Sequence, residues 1–208
     1  MALGNREPRT FATIKKGKLR VWKPGGEGEE GREETFEQVN GLLTKIEYRT
    51  RDKTEAMQHA PHREICLTFV DGDDRVVVST SAKFGAGKAI QKMLPNVDPD
   101  EELTISVKGG TYNGFSTTDV FFNQAGSALK YFWKKDDMKD LPHAVEYVDP
   151  ADNQTKWNTN DQVAYLEEYI MANVALNLHE PITAGAPSGG SDSQEPDGNW
   201  DEDSDAPF

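Results

Sequence analysis

Residues 63–80 read Arg63-Glu-Ile-Cys-Leu-Thr-Phe-Val70, then Asp71-Gly-Asp-Asp74, then Arg75-Val-Val-Val-Ser-Thr80. Runs rich in β-branched and aromatic residues on either side of four polar turn formers predict two strands around an acidic hairpin turn. Upstream, Leu42 to Arg51 alternates Leu42, Thr44, Ile46 and Tyr48 against Leu43, Lys45, Glu47 and Arg49, which predicts another strand. Downstream the period changes. Ala89, Ile90, Met93 and Leu94 fall at helical spacing within Ala86 to Leu94, and Pro95 ends the run. Strand patterns resume at Leu103 to Lys108 and Thr117 to Asn123, with Leu129 to Lys135 as a continuation or an additional strand.

From Leu42 the order is therefore strand, strand, strand, short helix, strand, strand. This is the element order of the OB-fold, a five-stranded Greek-key barrel with a helix between its third and fourth strands and a preference for oligonucleotides. Before it, Phe11 to Trp22 predicts an extra N-terminal hairpin turning at Lys15-Lys-Gly-Lys18, with Leu19 and Val21 on one face and Lys18, Arg20 and Trp22 on the other. A polar, glycine-rich stretch, Pro24 to Glu34, reads as a mobile loop. After the barrel, a helix opens at Thr159 or Asn160 and carries an apolar stripe of Val163, Leu166, Ile170, Val174 and Leu178. That helix can pack on its own barrel or on a second chain, as a homodimer. The expected fold is mainly β: residues 1–180 form the OB-fold domain and residues 181–208 a disordered acidic tail.

The tail, Pro181 to Phe208, is rich in Gly, Pro, Ser and Asp and has almost no aliphatic content. It cannot bury enough apolar surface to offset its ordering entropy, roughly 1 to 2 kcal/mol per residue for the backbone. Charge is distributed just as unevenly. The formal net charge of -13 over 208 residues conceals 21 Lys and Arg against 19 Asp and Glu in residues 1–135, 2 against 10 in 136–180, and 0 against 7 in 181–208. The first two-thirds can present a basic face, so composition permits a polyanionic ligand. One cysteine, Cys66, excludes a disulfide framework and a cysteine-based zinc site. No window approaches the roughly 18 apolar residues of a membrane helix, and the start lacks an apolar signal stretch. A cytoplasmic protein without membrane contact is expected.

Enzymatic patterns are weak. Phe84-Gly-Ala-Gly-Lys88-Ala89 resembles part of a phosphate-binding loop but lacks the upstream glycine and the Ser or Thr after the lysine. A milder possibility is that amides at this helix start, with Lys83 and Lys88, hold one phosphate of a strand. Of the histidines only His59 and His62 are close, with a proline between them, and Asp71, Asp73 and Asp74 lack the downstream glutamate of a calcium loop. No cofactor, metal or catalytic residue is expected.

What remains is aromatic and basic residues interleaved on strands, the combination that stacks unpaired bases and neutralises phosphates. The candidate nucleic-acid contacts are Lys18, Arg20, Trp22, Tyr48, Arg49, Lys83, Phe84, Lys88, Tyr112, Phe115, Lys130 and Phe132. In Leu129-Lys-Tyr-Phe-Trp133, Leu129, Tyr131 and Trp133 share one face, and only one face can meet solvent. The end of the chain, Asp201-Glu-Asp-Ser-Asp-Ala-Pro-Phe208, places a ring and a carboxylate after an acidic run, which can dock into a basic-rimmed apolar pocket or compete with nucleic acid for a basic groove. The candidate partner contacts are Asp201, Glu202, Asp203, Asp205, Pro207 and Phe208.

At these residues the chain resembles the single-stranded DNA-binding proteins of tailed bacteriophages, in which an OB-fold is followed by an acidic tail ending in phenylalanine. Leu67-Thr-Phe-Val-Asp-Gly-Asp-Asp-Arg-Val-Val-Val78, Asp119-Val-Phe-Phe-Asn-Gln-Ala-Gly-Ser-Ala-Leu-Lys130 and the tip Asp203-Ser-Asp-Ala-Pro-Phe208 carry the resemblance. It implies a non-enzymatic protein that coats single-stranded DNA in phage replication, recombination or repair in the host cytoplasm. It also implies that Phe208 and the acids before it recruit a polymerase, helicase or primase. The competing expectation is an OB-fold protein-interaction adaptor without nucleic-acid binding; a small endonuclease lacks a convincing carboxylate set.

Overall fold

The computed structural model describes residues 9–24, 30–51, 62–112, 114–134, 136–151 and 153–179. The proposed partner contacts at residues 201–208 and the rest of the tail lie outside the described residues. Among the described residues, no helix is long and apolar enough to cross a membrane.

The strands are β1 (Arg9–Lys15), β2 (Lys18–Lys23), β3 (Arg32–Phe36), β4 (Gln38–Arg51), β5 (His62–Asp71) and β6 (Asp74–Ser81). Helix α1 (Gly85–Met93) and a 3-10 turn at Leu94–Asn96 follow, then β7 (Leu103–Tyr112), β8 (Phe115–Gln124) and β9 (Ser127–Ala128). A separate hairpin of β10 (Val145–Val148) and β11 (Thr155–Asn158) precedes α2 (Asn160–Asn173). The fold is mainly β. Nine strands form one sheet in the order β3-β2-β1-β6-β5-β4-β7-β8-β9. Within it, β7-β4-β5-β6 places the fourth strand beside the first, the Greek-key arrangement.

The expected closed five-stranded barrel is not formed. The N-terminal hairpin explains why: β6 takes β1 as a parallel neighbour, from Arg9 opposite Arg75 to Thr13 opposite Ser79. The ladder therefore ends at β3 on one side and at the two-residue β9 on the other, with no pairing between its ends. β8 pairs with β7 along its whole length but with β9 only through Asn123 and Gln124, so most of its outer edge has no strand partner among the described residues.

Several elements match their periodicity. In β2, Leu19 and Val21 are buried in the core, while Trp22 faces out. Ile90 and Met93 of α1 and the following Leu94 are buried; Ile170 of α2 and the following Val174 are buried in the main core, and Leu166 of α2 in a second apolar cluster of the same chain. The helix proper ends at Asn173, short of Leu178, and a 3-10 turn follows.

Other elements differ from the expectation for identifiable reasons. In β4 the register shifts between Leu43 and Lys45, and a bulge there turns Leu43 rather than Leu42 into the core beside Ile46. Part of the expected loop is strand, since Arg32 to Glu34 begin β3; residues 25–29 lie outside the described residues. Of the expected strand Leu129 to Lys135, the described residues Leu129 to Lys134 form none. The chain leaves the sheet after Ala128 so that Trp133 can bury itself against Leu141 and Leu166 in a second apolar cluster. The β10–β11 hairpin was not anticipated, because its short runs alternate too little to stand out.

Two close approaches hold the helix and hairpin in place. A side chain on Gly87 would meet the Ser81 carbonyl oxygen at 2.0 Å, so the glycine at this position lets α1 press onto the end of β6. The β1–β2 turn has positive φ at both Lys16 and Gly17, a type I′ geometry that matches strand twist. Its tip lies on β7: a Cβ at Gly17 would sit 2.1 Å from the Gly109 Cα, and the Gly17 amide donates to Thr118 Oγ1 at 2.9 Å. Replacing Gly17 by alanine is expected to cost on the order of 2 kcal/mol, from clash and positive φ together. Urea unfolding measures this as a lowered midpoint with unchanged slope; an unchanged midpoint would contradict the close contact.

Candidate nucleic-acid interface

Because β1 and β8 do not pair, a cleft of about 710 Å³ opens between them. Lys15 and Lys16 at the end of β1, Phe84 and Ala89 of the α1 region, Ser116 to Phe121 of β8, and Tyr131 line it. It continues at both ends. Lys16 and Phe121 also border a hollow of about 510 Å³ that includes Lys18 and Lys108. Phe121 and Tyr131 also border one of about 410 Å³ that includes Lys130 and Lys134. Together these form one trough along the unpaired edge of β8. Three rings in it are open to solvent: Phe84 at 66%, Phe121 at 48% and Tyr131 at 45%.

Charge pairing separates this trough from the rest of the surface. On the N-terminal hairpin, Arg20 pairs with Glu33 at 2.8 Å, Lys23 with Glu34 at 2.7 Å and Lys18 with Glu37 at 2.5 Å. The hydrogen bond from Lys18 holds Glu37 below the usual carboxylate range. On β4 and β5, Arg49 pairs with Glu47 at 2.7 Å, Arg51 with Glu64 at 3.1 Å, and Arg63 with Glu167 of α2. By contrast, Lys15, Lys16, Lys83, Lys92, Lys108, Lys130 and Lys134 form no ion pair among the described residues. Unneutralised lysines therefore gather around the trough and α1, while cations elsewhere are largely spent on neighbouring acids.

The sequence-derived candidates divide accordingly. The structure brings Phe84 and Lys130 into the trough, with Lys83 beside Phe84 and Lys88 on the same helix. Lys18 borders one end, already bound to Glu37. Tyr112 is exposed at the tip of β7, opposite Phe115 in register; the Phe115 side chain lies outside the described residues.

Five candidates fall elsewhere. Trp22 is 64% exposed but stands on β2 opposite Glu33, with Gly31 against its ring, and Arg20 is committed to Glu33. Arg49 is bound to Glu47. Tyr48 packs on the core, donates to Gln91 Oε1 at 3.1 Å and has Arg63 over its ring. Burial, then the Glu167 charge, push its phenol well above the usual range. Phe132 is half-buried edge-on to Trp133, with centroids 4.8 Å apart, and Lys139 covers its ring at 3.3 Å. Bulges, loop exits and helix packing decide these placements, and strand alternation does not encode them.

Phe121 and Tyr131 were missed as site residues. Phe121 had a signal: Val120-Phe121-Phe122 is apolar on both faces, and with Val120 and Phe122 buried, Phe121 must project outward. Tyr131 had none, since its assignment to a core face presumed a strand that does not exist.

Lys88 is placed differently from its neighbours. Its Nζ donates to Thr159 Oγ1 at 2.7 Å, which ties α1 to the start of α2. Burial, then the charges of Lys92 and Lys83, lower its pKa. Lys88 is therefore expected to titrate below the usual lysine range of about 10.4 when followed by side-chain NMR; an ordinary value would show that the pocket is wetter than its geometry. Among the described residues, no cluster of His, Cys, Asp or Glu could hold a metal ion. Comparison with known proteins finds no significant match to a family model, a curated protein or a solved structure.

Proposed function

We propose that the protein binds single-stranded DNA without sequence preference, as an OB-type module serving DNA replication, recombination and repair of the tailed-phage kind. The observation that carries this reading is the trough in which exposed Phe84, Phe121 and Tyr131 alternate with unneutralised lysines. Bases unstacked from a partner gain roughly 1 to 3 kcal/mol each on an aromatic ring, and lysines that are not held in an ion pair can neutralise phosphates and release their counterions. The Greek-key order with α1 between the third and fourth of its strands supports assignment to the OB-fold, which is often partly open. On this reading the chemistry is non-catalytic. The acidic stretch ending at Phe208 recruits a polymerase, helicase or primase and competes with DNA for the lysines.

Titration with labelled oligothymidine tests the reading. Affinity is expected to fall with salt at about 0.7 log units per neutralised phosphate for each log unit of salt. Phe121→Ala should weaken binding about tenfold, as for the loss of one stacked base. Lys15→Ala with Lys16→Ala should lower the salt slope, whereas Arg49→Ala should change affinity by less than about twofold. Absence of binding at low salt rejects the proposal.

Deleting residues 181–208 tests the competition. Affinity for oligothymidine should rise while binding to the replication partner is lost, and an unchanged affinity removes the competition.

The unpaired edge of β8 favours one second reading, an adaptor that adds an extended peptide as a strand. It predicts peptide binding that persists at high salt and no oligonucleotide binding.

A further inference from the structure

We infer that the β10–β11 arm extends the nucleic-acid path beyond the trough, with Trp157 as an additional base-stacking ring. This rests on the single-stranded DNA reading above and assigns a second segment of the same path.

The arm is a two-stranded sheet that pairs with no strand of the main sheet. Every residue of β10 is exposed, and Trp157 of β11 is 61% open to solvent. A ring so placed adds little to the core, and two strands alone are of marginal stability. The arm is nonetheless held at its base in a defined position. Thr159, which follows β11, accepts the hydrogen bond from Lys88 of α1 at 2.7 Å. Trp157 is two residues away, at most about 7 Å along the chain.

Helix α1 connects this point to the trough. Its sequence, Gly85-Ala-Gly-Lys-Ala-Ile-Gln-Lys-Met93, contains no acid, and neither Lys88 nor Lys92 forms an ion pair among the described residues. Phe84 and Ala89 border the cleft at one side of the helix, and Lys88 bonds Thr159, between the arm and α2, at another. A phosphate chain leaving the trough past Phe84 thus meets the lysine-bearing, acid-free helix α1 before it reaches Trp157, with Asp161 in the first turn of α2 as the nearest acid in sequence to the Lys88–Thr159 contact.

The arm's own charges set a limit on the contact. Glu146 stands opposite Trp157 in register, and Lys156 is bound to Asp149. Phosphates are therefore held by the lysines of α1, and only a base folds onto the Trp157 ring. A second copy of the chain or another protein on the exposed arm is the competing occupant.

The test uses the full chain and labelled oligothymidine of two lengths within the range of OB-type sites, about 6 and about 16 nucleotides. Trp157→Ala should weaken the longer oligonucleotide about fivefold or more and leave the shorter within about twofold; Trp157→Phe should restore most of the loss. Trp22→Ala should change neither. Equal affinity of Trp157→Ala and the parent chain for the longer oligonucleotide overturns the inference. So does an equal loss at both lengths, or a change in sedimentation without a change in DNA binding, which would mark the arm as a protein contact. If the parent chain binds neither length, the DNA reading itself fails; that result differs from a parent chain that binds beside an unaffected variant.

Discussion

The parallel ladder between β1 and β6 is the constraint on which the rest of the molecule depends. A strand has two edges, and β6 spends both, one on β5 and one on β1. The N-terminal hairpin therefore takes the place at which the sheet would otherwise have closed, and β8 is left with an edge facing space. Gly17 over Gly109 brings the tip of the same hairpin down onto β7, so the gap becomes a walled trough and not an open rift. One hairpin thus explains why the barrel is open, where the cleft between β1 and β8 lies, and why Lys15 and Lys16 stand at its rim.

Net charge would have hidden that trough. A chain of formal charge -13 is expected to repel polyanions at a distance, yet binding is decided over distances near the Debye length, about 10 Å at moderate salt. At that range the relevant quantity is whether a lysine has an acid beside it. The β3 acids Glu33 and Glu34, together with Glu37, neutralise the hairpin cations, and Glu47 and Glu64 neutralise those of β4. Around α1 and the β8 edge the lysines form no ion pair among the described residues, and the acids that border the trough are Asp119 of β8 and Glu37, the latter already bound to Lys18. The same pairing ties the frame together: the Arg63 fork onto Glu167 joins β5 to α2, whose Leu166 and Ile170 are buried in the two apolar clusters.

Much of the scaffold was legible from residue order. The 63–80 hairpin, α1, the β7–β8 pair and the inward face of β2 follow from periodicity and turn chemistry, because each depends on residues adjacent or nearly adjacent along the chain. The site was legible only in part. Phe84, Lys83, Lys88 and Lys130 could be named, but Trp22, Arg20, Tyr48, Arg49 and Phe132 were drawn in by the same aromatic and basic signal and lie elsewhere or are already satisfied. Tyr48 and Phe132 show the cause most clearly: each sits on a pattern that permits exposure, and each is covered by an element distant in sequence, Gln91 and Arg63 for one and Trp133 with Lys139 for the other.

The amino-acid sequence by itself determined that the chain is mainly β, where its two helices begin, which face of β2 is apolar, and that surplus acid is confined to the C-terminal third. Tertiary structure alone decided that the sheet stays open, that Phe121 and Tyr131 meet Phe84 across one trough, and which lysines keep an unopposed charge. The physical reason is range. Periodicity and turn residues act through contacts between near neighbours, whereas strand partnership, the filling of a β edge and the pairing of a cation with an acid depend on groups that the folded chain brings together from far apart.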